Sequence, residues 1–118
     1  MENLKLRINR MACVRRKPHG AIGFFTGTEP LKEVLVPNEE LDQFAQMYPE
    51  DYLLRLAFIQ DALRKPTWAC LLHTKTCNAL AVCRSDEGRS VIAIIEKRDG
   101  MLHLHLTGEC APIIYTEE

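Results

Sequence analysis

The chain has 118 residues, which is enough for one globular domain, and we expect that domain to span residues 1–118. Hydrophobic residues make up 47% and charged residues 26%, so the composition excludes a disordered or fibrous protein. The formal net charge of -1 argues against a general nucleic-acid coat protein, which carries a clear basic excess, but it leaves room for a basic patch on one face.

The N-terminal residues alternate leucines with charged side chains and lack the apolar segment of a signal peptide, and no apolar run is long enough to cross a bilayer. The sequence contains five cysteines, Cys13, Cys70, Cys77, Cys83 and Cys110. An odd number of cysteines without an export signal is typical of reduced thiols in the cytoplasm. We therefore predict a cytoplasmic protein that does not associate with a membrane.

A metal or ligand site is one interpretation of Cys70, His73, Cys77 and Cys83, which lie close together in the sequence. Their spacing matches no common zinc-ligand pattern, and no Cys-x-x-Cys pair occurs. On a strand, Cys70 and His73 would also point to opposite faces. Small buried side chains are the more frequent role of free cysteines, so we predict neither a metal nor another cofactor.

The N-terminal third alternates short apolar runs with turn signals. Leucine and isoleucine alternate with polar residues over 4–9, which predicts a strand. The basic sequence over 15–20 indicates an exposed turn. A short apolar run covers 21–25, and a second short strand over 34–36 is ended by Pro37.

Two helices are predicted in the middle of the chain. Asn38 is a favourable N-cap for the first helix, which places Glu39 and Glu40 at the positive end of the helix dipole. Pro49 lies in the first turn of the second helix, where its missing N–H costs nothing. An apolar stripe follows at helical spacing, and Pro66 ends that helix.

From residue 67 onward, the apolar residues alternate with the period of β-strands. Turn signals separate four predicted strands, 67–73, 79–84, 89–98 and 101–107. Together with the two helices, they predict an α+β fold, in which an antiparallel β-meander of four or more strands has two helices packed on one face.

Asp99-Gly100, between the last two of these strands, is a strong signal for a type I′ hairpin because both positions of that turn have positive φ. A two-residue loop makes Arg98 and Met101 partners and fixes the later pairs: Glu96 with His103, Ile94 with His105, and Ile92 with Thr107. The opposite face of the last strand then carries an apolar row directed at the helices, Leu102, Leu104 and Leu106.

The outer face of this hairpin collects Glu96, His103, His105 and Thr107. A carboxylate beside an imidazole is what general acid–base catalysis requires near neutral pH, so these four are our candidate catalytic residues. Basic residues near the same strands are candidates for binding a substrate phosphate: Arg84, Arg89, Lys97 and Arg98. The alternative is an ordinary solvent-exposed face with a weak Glu–His cross-strand pair and charges that protect strand ends.

Other residues have both a structural and a functional interpretation. The basic run Arg15-Arg16-Lys17 is a solvated turn or a contact for a charged partner, and we favour the turn. Trp68 is more often a core or helix–sheet contact than a base-stacking residue. Tyr115 is either the aromatic residue of a last strand or a site residue. We treat His19 and His73 as structural or surface histidines.

Several short motifs follow one another over residues 34–107. Val34-Leu35-Val36-Pro37-Asn38 is a strand followed by a helix cap, and Tyr48-Pro49-Glu50-Asp51-Tyr52 leads into a helix whose end reads Ile59-Gln60-Asp61-Ala62-Leu63-Arg64-Lys65-Pro66-Thr67-Trp68. The last strand ends in Leu104-His105-Leu106-Thr107. This layout resembles the phage-associated barnase–EndoU–colicin–RelE-like nuclease domains. The resemblance implies metal-independent RNA cleavage, in which one group takes the 2′-hydroxyl proton and another protonates the leaving oxygen.

The chain departs from that family at one position. The family commonly carries a histidine on the helix that here follows residue 38, where this chain has Gln43, Gln46 and Tyr48. A glutamine side chain does not transfer a proton. Either the reaction depends on His103 or His105, or the fold persists without the reaction.

The sequence therefore leaves two functional hypotheses. The first is a small cytoplasmic endoribonuclease, toxin-like or phage-borne, which acts on RNA with Glu96 as the base, His103 or His105 as the acid, and Thr107 and Arg84 near the phosphate. The second is a catalytically inactive nuclease-like fold from a mobile element, which binds or inhibits a host protein complex. The near-neutral net charge, the missing helix histidine and the small size motivate this second hypothesis, which is the alternative to the first.

Overall fold

A mixed sheet forms one layer of the protein, and helices form the other. The computed structural model describes residues 4–15, 24–25, 33–73 and 78–116, without the side chains of residues 14, 15, 73 and 78. The elements in chain order are β1 (Leu4–Arg7), α1 (Arg10–Arg15), β2 (Glu33–Val36), α2 (Asn38–Met47), α3 (Tyr52–Arg64), β3 (Trp68–His73), β4 (Asn78–Asp86), β5 (Arg89–Arg98), β6 (Met101–Leu104), a 3₁₀ turn (Gly108–Cys110) and β7 (Ile113–Thr116).

The predicted α+β class and its β-meander are confirmed. The strand order is β1-β2-β6-β5-β4-β3, with β7 paired to β5, and β3 to β6 form the antiparallel meander. Strand β2 runs parallel to β6, so the sheet is mixed rather than purely antiparallel. Within the described ranges, no helix is long and apolar enough to cross a membrane.

One face of the sheet packs against the helices because alternate strand residues are apolar. Val91, Ala93 and Ile95 of β5 are buried, and the predicted apolar row, Leu102, Leu104 and Leu106, is at most 1% exposed. These side chains join one core cluster with Ile59 and Leu63 of α3. Burial of each such side chain contributes about 1.5–3 kcal/mol, which fixes the face that each strand presents to the helices.

The Asp99-Gly100 hairpin forms as predicted. Asp99 has a φ of 53° and Gly100 a φ of 76°, which are the two positive values of a type I′ turn. The ladder pairs Arg98 with Met101 and Glu96 with His103. The predicted register of the hairpin is therefore confirmed as far as Leu104.

The predicted pairing of β5 with residues after Leu104 is wrong. Strand β6 ends there, and Ile92 pairs with Ile113 of β7, six residues after the predicted partner Thr107. The pairing of Ile94 with His105 is likewise absent from the β5–β6 ladder. The reason is that the N–H groups after His105 donate to Glu40 of α2 instead of joining the ladder.

Three helix boundaries also differ from the predictions. Helix α1 was not predicted; the Asn9 side chain caps it by accepting a hydrogen bond from the Ala12 N–H at 3.1 Å. Helix α2 begins at Asn38 with Pro37 as its N-cap, so Asn38 does not cap it. Helix α3 begins at Tyr52, after a turn that contains Pro49. The first residue of the basic turn predicted over 15–20, Arg15, is the last residue of α1. The rest of that turn, which includes His19, lies outside the described residues, as does Cys77.

The outer face, the side of the sheet away from the helices, divides into two parts. Cross-strand partners point to the same face of a sheet, so the strand register determines which side chains lie on the outer face. The polar part spans β1, β2, β6 and the end of β5: Lys5, Arg7, Glu33, Glu96, Arg98 and His103. The apolar part spans β3, β5 and β7: Trp68, Cys70, Leu72, Ile92, Ile94, Ile113 and Tyr115. Trp68 therefore faces away from the helices, which corrects the predicted helix–sheet contact.

We predict that Gly100→Ala destabilises the protein by about 1–2 kcal/mol, because an L-residue strains at positive φ. An added Cβ would meet no atom within 4 Å, so the loss would come from the backbone alone. Urea unfolding measures the change. Asp99→Asn is the control and should keep wild-type stability, because asparagine tolerates this conformation. A Gly100→Ala protein as stable as the wild type would contradict the type I′ turn.

Candidate functional site

The segment after β6 is bound by the carboxylate of Glu40, in the first turn of α2. Glu40 Oε1 accepts hydrogen bonds from the backbone N–H groups of Leu106 at 3.1 Å and Thr107 at 3.2 Å, and from the Thr107 hydroxyl at 3.1 Å. Glu40 Oε2 lies 2.7 Å from Nδ1 of His105, which is 65 residues away in the sequence. The topology explains this contact, because β2 runs parallel to β6 and continues directly into α2.

The imidazole of His105 lies between two carboxylates. Its Nδ1 contacts Glu40, and its Nε2 lies 3.7 Å from Glu96 Oε2, which is too long for a hydrogen bond. Nε2 is buried and has no hydrogen-bond partner in the described part of the chain. Since an ionised carboxylate only accepts hydrogen bonds, Nδ1 is the nitrogen that donates to Glu40. The ring is therefore fixed in orientation.

Glu96 is buried on the outer face, with only 5% of its surface exposed. Its Oε2 accepts two hydrogen bonds from Arg98, at 3.0 Å from Nε and 2.7 Å from Nη2, and its Oε1 accepts one from the Cys110 thiol at 3.3 Å. Burial raises the pKa of Glu96, but the hydrogen bonds from Cys110 and Arg98 and the Arg98 charge outweigh it, so the pKa is lowered. We call Glu40, His105, Glu96, Arg98 and Cys110 the carboxylate–imidazole network.

His103 belongs to the same surface but not to this network. It pairs with Glu96 across the β5–β6 ladder and with Leu35 across the parallel β2–β6 ladder, so all three side chains lie on the outer face. His103 is half-buried, and it makes no hydrogen bond or ion pair within the described residues. It is therefore the histidine of the site whose ring is not bound to another side chain in the described part of the chain.

Of the other predicted site residues, Thr107 lies beside the network, whereas three predicted cations lie elsewhere. The Thr107 hydroxyl already donates to Glu40. Arg84 and Arg89 both contact Asp86, near the first residues of β5. At the rise of a strand, these two arginines lie about 15–25 Å from Glu96, which is near the other end of β5. Lys97 faces the helix side, where its Nζ donates to the carbonyl of Phe24 at 3.3 Å. The structure brings Glu96, His103, His105 and Thr107 together but not these three cations.

Sequence reasoning missed two members of the network, Glu40 and Cys110. One signal could have indicated Glu40, because it is a carboxylate in the first turn of a helix that directly follows a strand. Its partner His105, however, is 65 residues away in the sequence. Cys110 has no local signal, because only the turn after residue 107 brings its thiol over Glu96. On α2, Gln43 and Gln46 are exposed, while the Tyr48 ring after the helix packs against Phe44.

Other candidate residues do not form a site in the structure. Cys83 is buried and Cys70 is half-buried, both on the outer face. Among the described residues, no three His, Cys, Asp or Glu side chains are grouped so that they could bind a metal ion. Tyr115 of β7 is 68% exposed. Comparison with family models, curated proteins and solved structures finds no match to this chain.

We predict that the network makes folding stability depend on acid pH. Burial raises the pKa of Glu40, but its contacts with His105 and Thr107 outweigh burial, so its pKa is lowered below 4.5, as is that of Glu96. The unfolded chain then binds more protons than the folded one below about pH 4.5, and stability falls as pH falls through the folded-state pKa values.

Urea unfolding of the wild type between about pH 6 and pH 3 measures this loss, and Glu40→Gln and Glu96→Gln should each flatten the profile. The control is Glu39→Gln, which removes an exposed carboxylate from the same helix turn without removing a network contact. If the stability of the wild type and of both network variants fell equally with pH, Glu40 and Glu96 would not be the source of the pH dependence.

Proposed function

We propose that the protein cleaves RNA without a metal ion, by acid–base catalysis on the polar part of the outer face. The observation that carries the proposal is the cross-strand pair of an ionised, buried Glu96 with a half-buried His103, which no other side chain of the described residues binds. A carboxylate that accepts a proton and an imidazole that donates one, side by side on a rigid ladder, are the groups that this reaction needs.

The two histidines have different roles in this proposal. His105 Nδ1 donates a hydrogen bond to Glu40, and His105 Nε2 is buried, so neither nitrogen is open to a substrate. His103 lies on the outer face, paired with Glu96 across the ladder, so its imidazole is the acid. His105 is a positioning residue, which fixes the turn that brings Cys110 against Glu96.

Three cations of the outer face can bind the substrate phosphate. Arg98 is 58% exposed at its side chain and lies beside Glu96. Lys5 and Arg7 lie on β1, which pairs with β2 next to His103. An incoming phosphate competes with Glu96 for the Arg98 guanidinium, and weakening this ion pair makes the carboxylate a better base.

The reaction has balanced proton transfers. Once the substrate phosphate has drawn the exposed Arg98 side chain away from it, Glu96 Oε2 takes the proton of a ribose 2′-hydroxyl, and the 2′-oxygen forms a bond to the adjacent phosphorus. The bond from phosphorus to the 5′-oxygen breaks, and His103 gives that oxygen its proton. The products are a 2′,3′-cyclic phosphate and a 5′-hydroxyl.

We predict that the purified protein cleaves a fluorescent RNA in excess EDTA and that His103→Ala lowers the rate by about 10²–10⁴-fold, the usual contribution of a general acid. Gel electrophoresis gives the rate, and mass spectrometry identifies the cyclic phosphate. Met101→Ala is the matched control, since Met101 is 48% exposed on the same face of β6 but cannot transfer a proton. No cleavage by the wild type, or equal rates for both variants, would overturn the proposal.

A protein-binding function is the second candidate, and the apolar part of the outer face favours it. Ile113 and Tyr115 on β7 are 47% and 68% exposed, beside Ile92 and Ile94 of β5. Aromatic residues next to aliphatic ones are typical of interface centres. Absence of RNA cleavage, together with a folded, stable chain, would make this candidate the better one.

A further inference from the structure

Three neighbouring strands of the sheet carry uninterrupted apolar runs. Strands β3, β4 and β5 each contain five apolar residues in succession, at 68–72, 79–83 and 91–95. An antiparallel strand with one solvated face alternates apolar and polar residues, as β1 does, whereas continuous runs are typical of strands that are buried on both faces. Among the described residues, the core with the helices lies on one face of these strands. The apolar part of the outer face therefore has the composition of a second buried surface.

The apolar part of the outer face is raised at one side and low at its centre. Ile113 and Tyr115 of β7 are 47% and 68% exposed. On β4, which lies between β3 and β5, the outer residues Ala81 and Cys83 are only 5% and 3% exposed, because their small side chains lie between larger neighbours. Large side chains beside small ones allow two such faces to interdigitate.

The charges near this face restrict the kind of partner it fits. All of its members are uncharged. The nearest arginines, Arg84 and Arg89, lie on the helix side of the sheet, where both contact Asp86 and the Arg89 guanidinium lies over the Phe58 ring. A phosphate-rich partner such as RNA would find no cation on this part of the face. The complementary surface is another uncharged, apolar one.

The extent of the face corresponds to a weak dimer. At the spacing of strands and residues in a sheet, its four strands cover about 15–20 Å in each direction. With Tyr115 raised above the rest, two such faces in contact would bury on the order of 500 Å² each, or about 1,000 Å² together. That total is the lower limit of a specific protein–protein interface, and the patch is as large as the functional patches of typical monomers.

We propose that the apolar part of the outer face binds the same face of a second copy of this chain. A second copy supplies an apolar surface of the same extent, and two sheets with the same twist pack face to face with their strands nearly aligned. A two-fold axis makes the contact isologous, so the raised residues of one copy pack against the lower part of the other. This proposal names the partner for the protein-binding candidate, on whose apolar face it rests, and it does not depend on RNA cleavage.

The test measures association of the wild type by sedimentation velocity, from about 1 μM to about 500 μM. We expect the average mass to rise from that of one chain toward that of two. Trp68 is the single tryptophan and lies on this face, so its fluorescence should shift to shorter wavelength over the same range as it leaves water. Both readouts use the unmodified protein without RNA, so a failure of the catalytic proposal leaves them unaffected.

The double variant Ile113→Lys/Tyr115→Lys places like charges in the contact and should raise the dissociation constant of the dimer at least about tenfold. Leu53→Lys is the matched control, because Leu53 is 67% exposed on α3, in the helix layer, and should dimerise like the wild type. Circular dichroism and thermal unfolding check that each variant is folded.

Two results would overturn the proposal. One is a wild type that stays a single chain up to about 500 μM with unchanged Trp68 emission, which would leave the face to a different protein. The other is equal dimerisation of the double variant and the Leu53→Lys control, which would place the dimer contact elsewhere on the chain.

Discussion

The Glu40 carboxylate determines the course of the chain after β6. Its two oxygens receive the N–H groups of Leu106 and Thr107, the Thr107 hydroxyl and the His105 ring. Those N–H groups are then not available to β5, so β6 stops at Leu104 and the chain turns through the 3₁₀ segment before it returns as β7. This turn brings the Cys110 thiol to Glu96. One carboxylate thus shapes both the sheet edge and the surroundings of the candidate site.

Local sequence signals predicted the parts of the site that depend on local rules. The Asp99-Gly100 turn fixes the hairpin, and the hairpin alone places Glu96 opposite His103. The contact of Glu40 with His105 could not be predicted in this way, because it arises from the parallel pairing of β2 with β6. The alternation of apolar and polar residues predicted that β6 continues to Thr107 and that this side chain lies on the outer face. In the structure, β6 ends at Leu104, and the Thr107 hydroxyl donates a hydrogen bond to Glu40 of α2.

The orientation of the His105 ring tests the account most directly. With ¹⁵N-labelled histidine, a long-range ¹H–¹⁵N correlation spectrum distinguishes the two ring nitrogens and shows which one carries hydrogen. The account predicts a protonated, hydrogen-bonded Nδ1 at neutral pH in the wild type, and loss of that hydrogen-bonded signal in Glu40→Gln. A His105 ring with hydrogen only on Nε2, or a spectrum unchanged by Glu40→Gln, would contradict it.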